Sequence, residues 1–131
     1  MIINDELLND LSEEARENVR LRKNFNLHKS ENDDVQRLLN ALEPGTVMPI
    51  HRHTHTEETY MLLRGALKVF FYNNDKQLMD TFDLNPLKGK YGIHIPTGQW
   101  HSLEVIEQGT VIFEVKKGPY SSLQESDIMQ L

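Results

Sequence analysis

The residues with the clearest potential for chemistry lie in a histidine-rich stretch at positions 51–58, which reads His-Arg-His-Thr-His-Thr-Glu-Glu. In an extended strand alternate side chains point to the same face, so His51 and His53 are expected to project together. Glu58, five residues beyond His53, would add a carboxylate oxygen to the two imidazole nitrogens, a donor set that divalent metals accept. The pattern predicts half of a metal site, and the missing ligand must come from elsewhere in the chain.

His101 is the predicted further ligand, because it follows the tight turn Pro96-Thr97-Gly98 and precedes an apolar strand. A His-x-His pair alone is weak evidence, since such pairs also occur on protein surfaces. The chain has no cysteine, which excludes disulfides, thiolate metal ligands and a thiol nucleophile. His55 continues the alternation of His51 and His53, so it competes with Glu58 as a ligand or could move a proton at the mouth of the site.

Glu114 and Lys116 are polar residues in an otherwise apolar strand, on the face opposite Val111, Phe113 and Val115. The ordinary interpretation is that this face meets solvent. If it faces a cavity instead, a buried Glu114 with a raised pKa could act as a general base, and Lys116 could pair with it or contact a substrate.

Three further residues are candidate substrate ligands, each with a plain alternative. Asn26 and His28 lie in a short extended segment and would line the mouth of a barrel, or are simply polar strand residues. Trp100, beside His101, would form a wall of the pocket, although a single Trp in a small domain is more often part of the core. The basic run Arg20, Arg22 and Lys23 is interpreted as a solvated helix end rather than an anion site.

The elements that must position these residues are mainly strands. Turn signals recur after Gly45 and separate short β-rich runs, and a spacing of roughly 8–12 residues is typical of a sandwich or barrel. The predicted strands are Tyr60–Leu63, Leu67–Tyr72, Leu78–Leu84, Tyr91–Ile95, Ser102–Ile106 and Thr110–Lys116. Val35–Leu42 fits a helical stripe as well as a buried strand, and the β-rich sequence downstream favours the strand.

The N-terminus is predicted to be helical, because apolar residues recur at spacings of three and four, with Asn4 or Asp5 as the cap. The stripe consists of Leu7, Leu8, Leu11, Ala15 and Val19. The chain of 131 residues fits one structural domain. We expect residues 1–34 to form a helix and extended arm packed on a barrel of residues 35–120, and residues 121–131 to form a tail.

The amino-acid composition limits the kinds of partner that the protein is expected to bind. The net charge is −6, from 20 acidic and 14 Lys and Arg residues, which argues against nucleic acid as a partner. No secretory signal and no apolar run of about 20 residues is present, so a cytoplasmic protein without membrane association is expected. The apolar fraction of 38% and charged fraction of 26% are typical of a soluble globular protein.

The histidine-rich stretch and the glycines on either side of it resemble the first sequence motif of the cupin superfamily. The family pattern is a glycine, five residues, His-x-His, three or four residues, a glutamate, six residues and a glycine. The chain supplies Gly45, His51, His53, Glu58 and Gly65 at this spacing. The resemblance implies a cupin barrel, a double-stranded β-helix or jelly roll, in which Glu58 is the fourth ligand of one divalent metal.

The second cupin motif is matched in part. Pro96, Gly98 and His101 occupy their expected places, whereas Lys90 stands where the family has a glycine and Val105 where it has an asparagine. Neither of these two positions is a metal ligand in the family. The resemblance therefore implies a metal site formed by His51, His53, Glu58 and His101.

A narrower resemblance, to WbuC-type cupin metalloproteins, covers most of the chain. It is carried by the segments Asn24–His28, Val35–Leu42, Pro44–Thr46, Gly98–His101, Phe113–Lys116 and Gly118–Tyr120. The resemblance implies a small bacterial cupin, often encoded among genes for surface-polysaccharide synthesis, and it also favours the strand at Val35–Leu42.

The expected function is metal-dependent catalysis on a small molecule such as a sugar or nucleotide sugar, with zinc, iron, manganese or nickel as the ion. An isomerase or epimerase, a hydrolase and an oxygenase all fit an open coordination position. The alternative is a non-catalytic module that binds or senses a small molecule through the metal. A homodimer is expected, because small cupins commonly pair through sheet edges.

Overall fold

The N-terminal helix packs on the outside of a β-sheet structure in this computed structural model, which describes residues 1–129. The helix α1 spans Asp5–Glu17, and the Asn4 side chain caps it by accepting a hydrogen bond from the Leu7 backbone N–H. It ends before Val19, which is 96% exposed, so the predicted apolar stripe stops at Ala15.

Within residues 1–129, eight strands follow the helix and form two antiparallel sheets. They are β1 (Arg22–Asn26), β2 (Val35–Leu42), β3 (Glu58–Arg64), β4 (Leu67–Tyr72), β5 (Leu78–Leu84), β6 (Gly92–Ile95), β7 (Trp100–Val105) and β8 (Thr110–Lys117). One sheet has the strand order β1-β2-β8-β3-β6, and the other has the order β5-β4-β7. The predicted fold class, mainly β with one N-terminal helix, is confirmed, and Val35–Leu42 is a strand.

The main core lies between the two sheets, because alternate side chains of each strand point inward. Its buried members come from both sheets and include Leu42, Leu62, Leu67, Val69, Ile95, Leu103 and Ile112. A second cluster fills the space between α1 and the outer face of the five-stranded sheet, formed by Leu8, Leu11, Ala15, Leu39, Ala41 and Val111. The helix thus covers one face of β2 and β8, and the other face is left for the barrel interior.

The segment before the barrel and the segment after it both join the sheet structure. β1 is the edge strand of the five-stranded sheet and pairs with β2 from Arg22 opposite Leu42 to Asn26 opposite Leu38. After β8 the chain returns across the sheet end, where Ile128 forms a bridge with His51 and the Met129 N–H donates to the Ile50 carbonyl. No helix within residues 1–129 is both long enough and apolar enough to cross a membrane.

Candidate metal centre

Four side chains from distant parts of the sequence meet at one end of the barrel interior. Donor atoms of His51, His53, Glu58 and His101 all lie within 4.8 Å of one another. Glu58 is the first residue of β3 in the larger sheet, and His101 is the second residue of β7 in the smaller one. The cluster therefore bridges the two sheets where they come together.

His51 and His101 are held by matching interactions. The His51 N–H donates to the His101 carbonyl at 3.0 Å, and the His101 N–H donates to the His51 carbonyl at 2.8 Å. The Nδ1 atoms lie 2.8 Å from the Pro49 carbonyl and 2.9 Å from the Gln99 carbonyl. A protonated Nδ1 that donates to a carbonyl leaves Nε2 unprotonated, which is the form that binds a metal.

The path of the chain through the cluster differs from the regular strand that the His-x-His spacing predicts. His51 is paired only through isolated bridges to His101 and Ile128, and the chain bends at Thr54 and His55 before β3 begins at Glu58. This bend brings Glu58 back to the same place as His53. His55 is left exposed, because the bend interrupts the alternation that would have put it beside the other two histidines.

The polar atoms of the cluster fit a bound cation. His53 Nε2 lies 2.8 Å from Glu58 Oε1, but the contact is not aligned as a hydrogen bond, and His101 Nε2 lies 3.7 Å from the same oxygen. Glu58 Oε1 and His101 Nε2 are both buried without a hydrogen-bond partner among residues 1–129. Buried polar atoms are rarely left unpaired, and an ion bound by nitrogen and carboxylate ligands would satisfy both.

The electrostatics of the cluster favour the protonation states that metal binding needs. Burial, and next the neighbouring His101, lower the pKa of His51 to about 4. Burial also lowers the pKa of His101. Burial tends to raise the pKa of Glu58, but the adjacent His53 and then Lys116 outweigh it and bring the pKa to about 2. At neutral pH, His51 and His101 are therefore neutral imidazoles and Glu58 is an ionised carboxylate, as metal binding requires.

A polar cavity of about 170 Å³ lies directly beside the cluster. His51, His53 and Glu58 form part of its wall, and β1, β2, β3 and β8 supply most of the rest through inward-pointing side chains. The polar members from these strands are Arg22, Asn24, Asn40, Tyr60, Glu114 and Lys116.

Glu114 and Lys116 face this cavity, so the interpretation that their face meets solvent is wrong. The reason is that α1 covers the opposite face of β8, where Val111 is fully buried. Glu114 is 7% exposed and accepts a hydrogen bond from Asn40 Nδ2 at 3.1 Å. Burial, and next the charge of Glu58, raise the pKa of Glu114.

The structure does not bring the predicted substrate ligands Asn26, His28 and Trp100 to this cavity. Asn26 is an exposed residue at the end of β1, and His28 Nδ1 accepts a hydrogen bond from the Arg37 backbone N–H at 3.1 Å. Trp100 packs with Ile50 and Met129, and its Nε1 donates to Asn74 Oδ1 at 2.9 Å. The predicted role of Trp100 as a pocket wall is therefore replaced by a packing role.

The predicted proton carrier His55 lies outside the cavity as well. Its ring centroid is 6.3 Å from that of His53, and it lines a separate outer cleft formed with residues of the C-terminal segment 121–127. Because His55 lines this cleft and not the cavity, its position does not support the role of proton carrier for a substrate bound in the cavity.

Several cavity residues were not predicted to be functional. Asn40 and Tyr60 belong to predicted strands and carry no predicted role, and Arg20 and Arg22 are predicted to be part of a solvated helix end, but all four line the cavity. Alternation in β1 could have indicated Arg22 and Asn24, because the next residue, Phe25, packs toward α1 and so puts these two on the opposite face. The Tyr60 hydroxyl donates to Glu58 Oε2 at 3.3 Å and so helps to orient the carboxylate.

Comparison with solved structures shows the cupin fold. KdgF from Halomonas sp. is 14% identical with a TM-score of 0.60, and the alignment covers 76% of this chain and 82% of KdgF. The cupin domain of Cnp3 from Schizosaccharomyces pombe is 16% identical with a TM-score of 0.58, over 73% of this chain and 64% of that one. The capsular polysaccharide assembling protein CapF from Staphylococcus aureus is 19% identical with a TM-score of 0.58, over 76% of this chain but only 28% of CapF.

Comparison of the sequence itself gives a family. No curated protein sequence matches the chain. A family model described as a domain of unknown function, DUF6016, matches residues 3–84, which include α1, the first five strands and three of the four clustered side chains. This chain, a cupin-fold protein with a cluster suited to a metal ion, therefore belongs to the DUF6016 family.

Proposed function

We propose that this protein is a divalent-metal-dependent enzyme that acts on a sugar or nucleotide-sugar intermediate of surface-polysaccharide metabolism. The observation that carries the proposal is the position of the cluster: His51, His53, Glu58 and His101 meet at the wall of a polar cavity. Two of their buried donor atoms have no hydrogen-bond partner within residues 1–129, as expected for a site that holds an ion.

The substrate class rests on two likenesses. The chain resembles WbuC-type cupins, which are often encoded among genes for surface-polysaccharide synthesis. Its fold is also similar to a part of CapF, a protein described as assembling capsular polysaccharide. A cavity lined by amides, a phenol, two carboxyls, two guanidinium groups and an amine offers the hydrogen-bonding groups that a polyhydroxylated molecule requires.

The donor set of three imidazoles and one carboxylate suits zinc, iron, manganese and nickel alike. A bound ion of this kind supplies Lewis-acid polarisation of a substrate oxygen or activation of water, which serves an isomerase or epimerase, a hydrolase or an oxygenase. The protein supplies the orientation: the carbonyls of Pro49 and Gln99 fix two imidazoles, and Tyr60 fixes the Glu58 carboxylate.

Glu114 is the proposed proton-transfer group. It is buried on the cavity wall, and its raised pKa favours the protonated form at a higher pH than for an exposed carboxyl. Asn40 Nδ2 holds its Oε1, which leaves the other carboxyl oxygen to face a ligand. Lys116, also on the cavity wall, supplies a positive charge near both Glu114 and Glu58.

Turnover by metal-free and metal-reloaded protein tests the proposal. Purified protein is stripped with a chelator, reloaded separately with zinc, iron(II), manganese or nickel, and incubated with a panel of nucleotide sugars and sugar phosphates, with products followed by NMR. We expect turnover that needs metal, disappears in His101→Ala and survives in His94→Ala, which removes an exposed histidine outside the cluster.

Two outcomes contradict the proposal. Turnover that is unchanged by metal removal would show that the cluster is not the catalytic centre. Metal-dependent binding of a compound with no turnover would favour a metal-anchored binding module instead.

A further inference from the structure

The cavity beside the cluster continues outward into a second cleft that is basic. The cleft has a volume of about 260 Å³ and shares Arg20, Arg22 and Asn24 with the inner cavity, while Lys23 belongs to the cleft alone. The inner cavity is smaller than the roughly 300–1,000 Å³ of typical ligand sites. A ligand of typical size is therefore too large for the inner cavity alone, and the adjoining cleft beside the two arginines offers the additional space.

The turn between α1 and β1 positions Arg20 and Arg22 beside the cavity. Asn18 organises it, since its side chain accepts from the Arg20 N–H at 2.8 Å and its carbonyl accepts from the Leu21 N–H at 2.9 Å. Leu21 has a φ of 57°, a conformation that side-chain-bearing residues seldom adopt. Arg22 then starts β1 with its side chain on the inner face of the sheet.

Three cations around the cavity form no close ion pair with a carboxylate among the described residues. Within residues 1–129, no carboxylate oxygen lies within 4.0 Å of the charged nitrogens of Arg20, Arg22 or Lys116. Among the residues that the structure describes, Arg22 Nη1 donates only to the Met48 sulfur at 3.5 Å, and the buried Arg22 Nε has no hydrogen-bond partner. Sulfur is a weak acceptor, so Arg22 keeps most of its capacity to bind an anion.

The pKa of Arg22 agrees with this description. Burial lowers it, and the neighbouring charge of Arg20 lowers it further, whereas Glu114 acts in the opposite direction. Arg22 is thus in a net unfavourable environment for a cation, which a bound anion would relieve.

A second unpaired group lies deeper in the cavity. Asn40 is 7% exposed, and while its Nδ2 donates to Glu114, its Oδ1 has no hydrogen-bond partner among the described residues. A buried amide oxygen without a partner is costly and is satisfied by a donor such as a hydroxyl group.

We propose that the site takes a hydroxylated organic anion, a sugar phosphate or sugar acid, with its anionic group against Arg20 and Arg22 and a hydroxyl donating to Asn40 Oδ1. This inference rests on the proposed function and narrows it, because it selects anionic substrates over neutral sugars. The phosphate or carboxylate lies toward the basic cleft, and the hydroxylated part lies toward the metal-ligand cluster.

Binding measurements that need no turnover test this inference. Inorganic phosphate, glucose 1-phosphate, glucuronate and glucose are titrated by calorimetry into metal-free and zinc-loaded protein at constant ionic strength. We expect saturable binding of the anions, tighter binding of glucose 1-phosphate than of phosphate, and no measurable binding of glucose at the same concentrations.

Variants locate the binding. Arg22→Gln is expected to weaken phosphate binding about tenfold or more, because a charge-assisted hydrogen bond contributes about 1.5–3 kcal/mol. Arg20→Gln changes an exposed side chain and should leave the fold intact, so its effect on phosphate binding tests the anion site even if Arg22→Gln is poorly folded. Arg37→Gln, which removes the same charge from an exposed side chain elsewhere, should leave binding unchanged. Asn40→Ala should remove the gain of glucose 1-phosphate over phosphate.

The outcomes separate this inference from the proposed function. Phosphate binding that is unaffected by both Arg20→Gln and Arg22→Gln, or absent altogether, overturns the anion site. If phosphate binds only when zinc is present and is unaffected by the arginine variants, the metal alone holds it, and the anion site is wrong while the metalloenzyme proposal stands. If the arginine variants lose binding but turnover ignores metal removal, the proposed function fails and the anion site stands.

Discussion

Replacing His101 with alanine is expected to abolish the stabilisation that a divalent metal gives to this protein. A ligand that binds only the folded state at a hundredfold excess over its Kd stabilises that state by about 2.7 kcal/mol. In a domain of 131 residues, a change of 1 kcal/mol shifts the melting temperature by about 4 °C. Metal should therefore raise the melting temperature of the unmodified protein by about 10 °C, and that of the variant hardly at all.

The structure gives the reason for so complete a loss. His101 is 1% exposed, its Nε2 has no hydrogen-bond partner among the described residues, and it is the ligand from the smaller sheet. Without it, the cluster keeps the donors of His51, His53 and Glu58 and has none from the smaller sheet. The alanine also leaves a cavity that lowers the stability of the metal-free variant. The informative quantity is hence the difference between melting temperatures with and without metal.

Thermal melts of chelator-treated protein, with and without added zinc, manganese or nickel, measure this difference, and elemental analysis after desalting gives the metal content per chain. His94→Ala is the matched control, since His94 is an exposed histidine whose Nε2 lies 3.4 Å from Glu57 outside the cluster. It should retain the full shift and one metal per chain. Equal metal content and equal shifts in His101→Ala and the unmodified protein would refute the four-ligand site.

The remaining predictions concern pH, catalysis, the backbone and assembly. The free energy of unfolding of the metal-free protein should fall by about 3 kcal/mol as pH falls from 6.5 to 4, because the folded state keeps His51 neutral down to a pKa of about 4 while the unfolded chain takes up the proton near 6.5. Urea unfolding at pH 7 and pH 4 measures this difference, and equal free energies at the two pH values would contradict it. Glu114→Gln should lower turnover by about 10²–10⁴-fold with metal content unchanged, and full turnover would remove its proposed role. Gly65→Ala should destabilise by about 2–3 kcal/mol, because φ is +96° and a Cβ would lie closer than 3 Å to Thr110, whereas Gly98→Ala, with φ +80° and open space, should cost about 1 kcal/mol in the same unfolding assay. Light scattering should give twice the chain mass of 15.3 kDa, and the mass of a single chain would exclude the proposed homodimer.

The parts of the fold that sequence predicts well are those with local signals. The spacing of turn residues after Gly45 indicates the strands, since each strand must end where the chain reverses. Val35–Leu42 is a strand despite its helical stripe, because pairing with both β1 and β8 outweighs local periodicity. Val19 lies beyond the helix end, where its backbone has already turned toward β1.

The residues of the candidate site likewise differ in whether a local sequence signal predicts them. His51, His53, Glu58 and His101 could be named together because the cupin motifs fix their spacing. Alternation alone failed for His55, since the bend at Thr54 and His55 is set by how the chain must reach β3.

For the other site residues, sequence gives the face of a strand but not what that face meets. Glu114 lies opposite Val111 in either case, and only the packing of α1 on the Val111 side decides that Glu114 is interior. Predicting that Arg22 faces the cavity required the register of β1 against β2, which is a contact between segments distant in sequence. Trp100 was predictable in part, because a strand residue next to the ligand His101 points to the other face.

The charge of the whole chain and the charge of its cavity have opposite signs, and this difference bears on selectivity. A net charge of −6 repels an extended polyanion, whose phosphates would meet the acidic surface over many ångströms. A small anion needs only the local field of Arg20, Arg22 and Lys116, since screening at physiological salt confines charge effects to about 8 Å. Because Glu58 contacts His53 and no carboxylate oxygen among the described residues lies within 4.0 Å of these three cations, they are incompletely balanced within the cavity. The proposed site therefore admits a small anionic sugar and disfavours both nucleic acid and a neutral sugar.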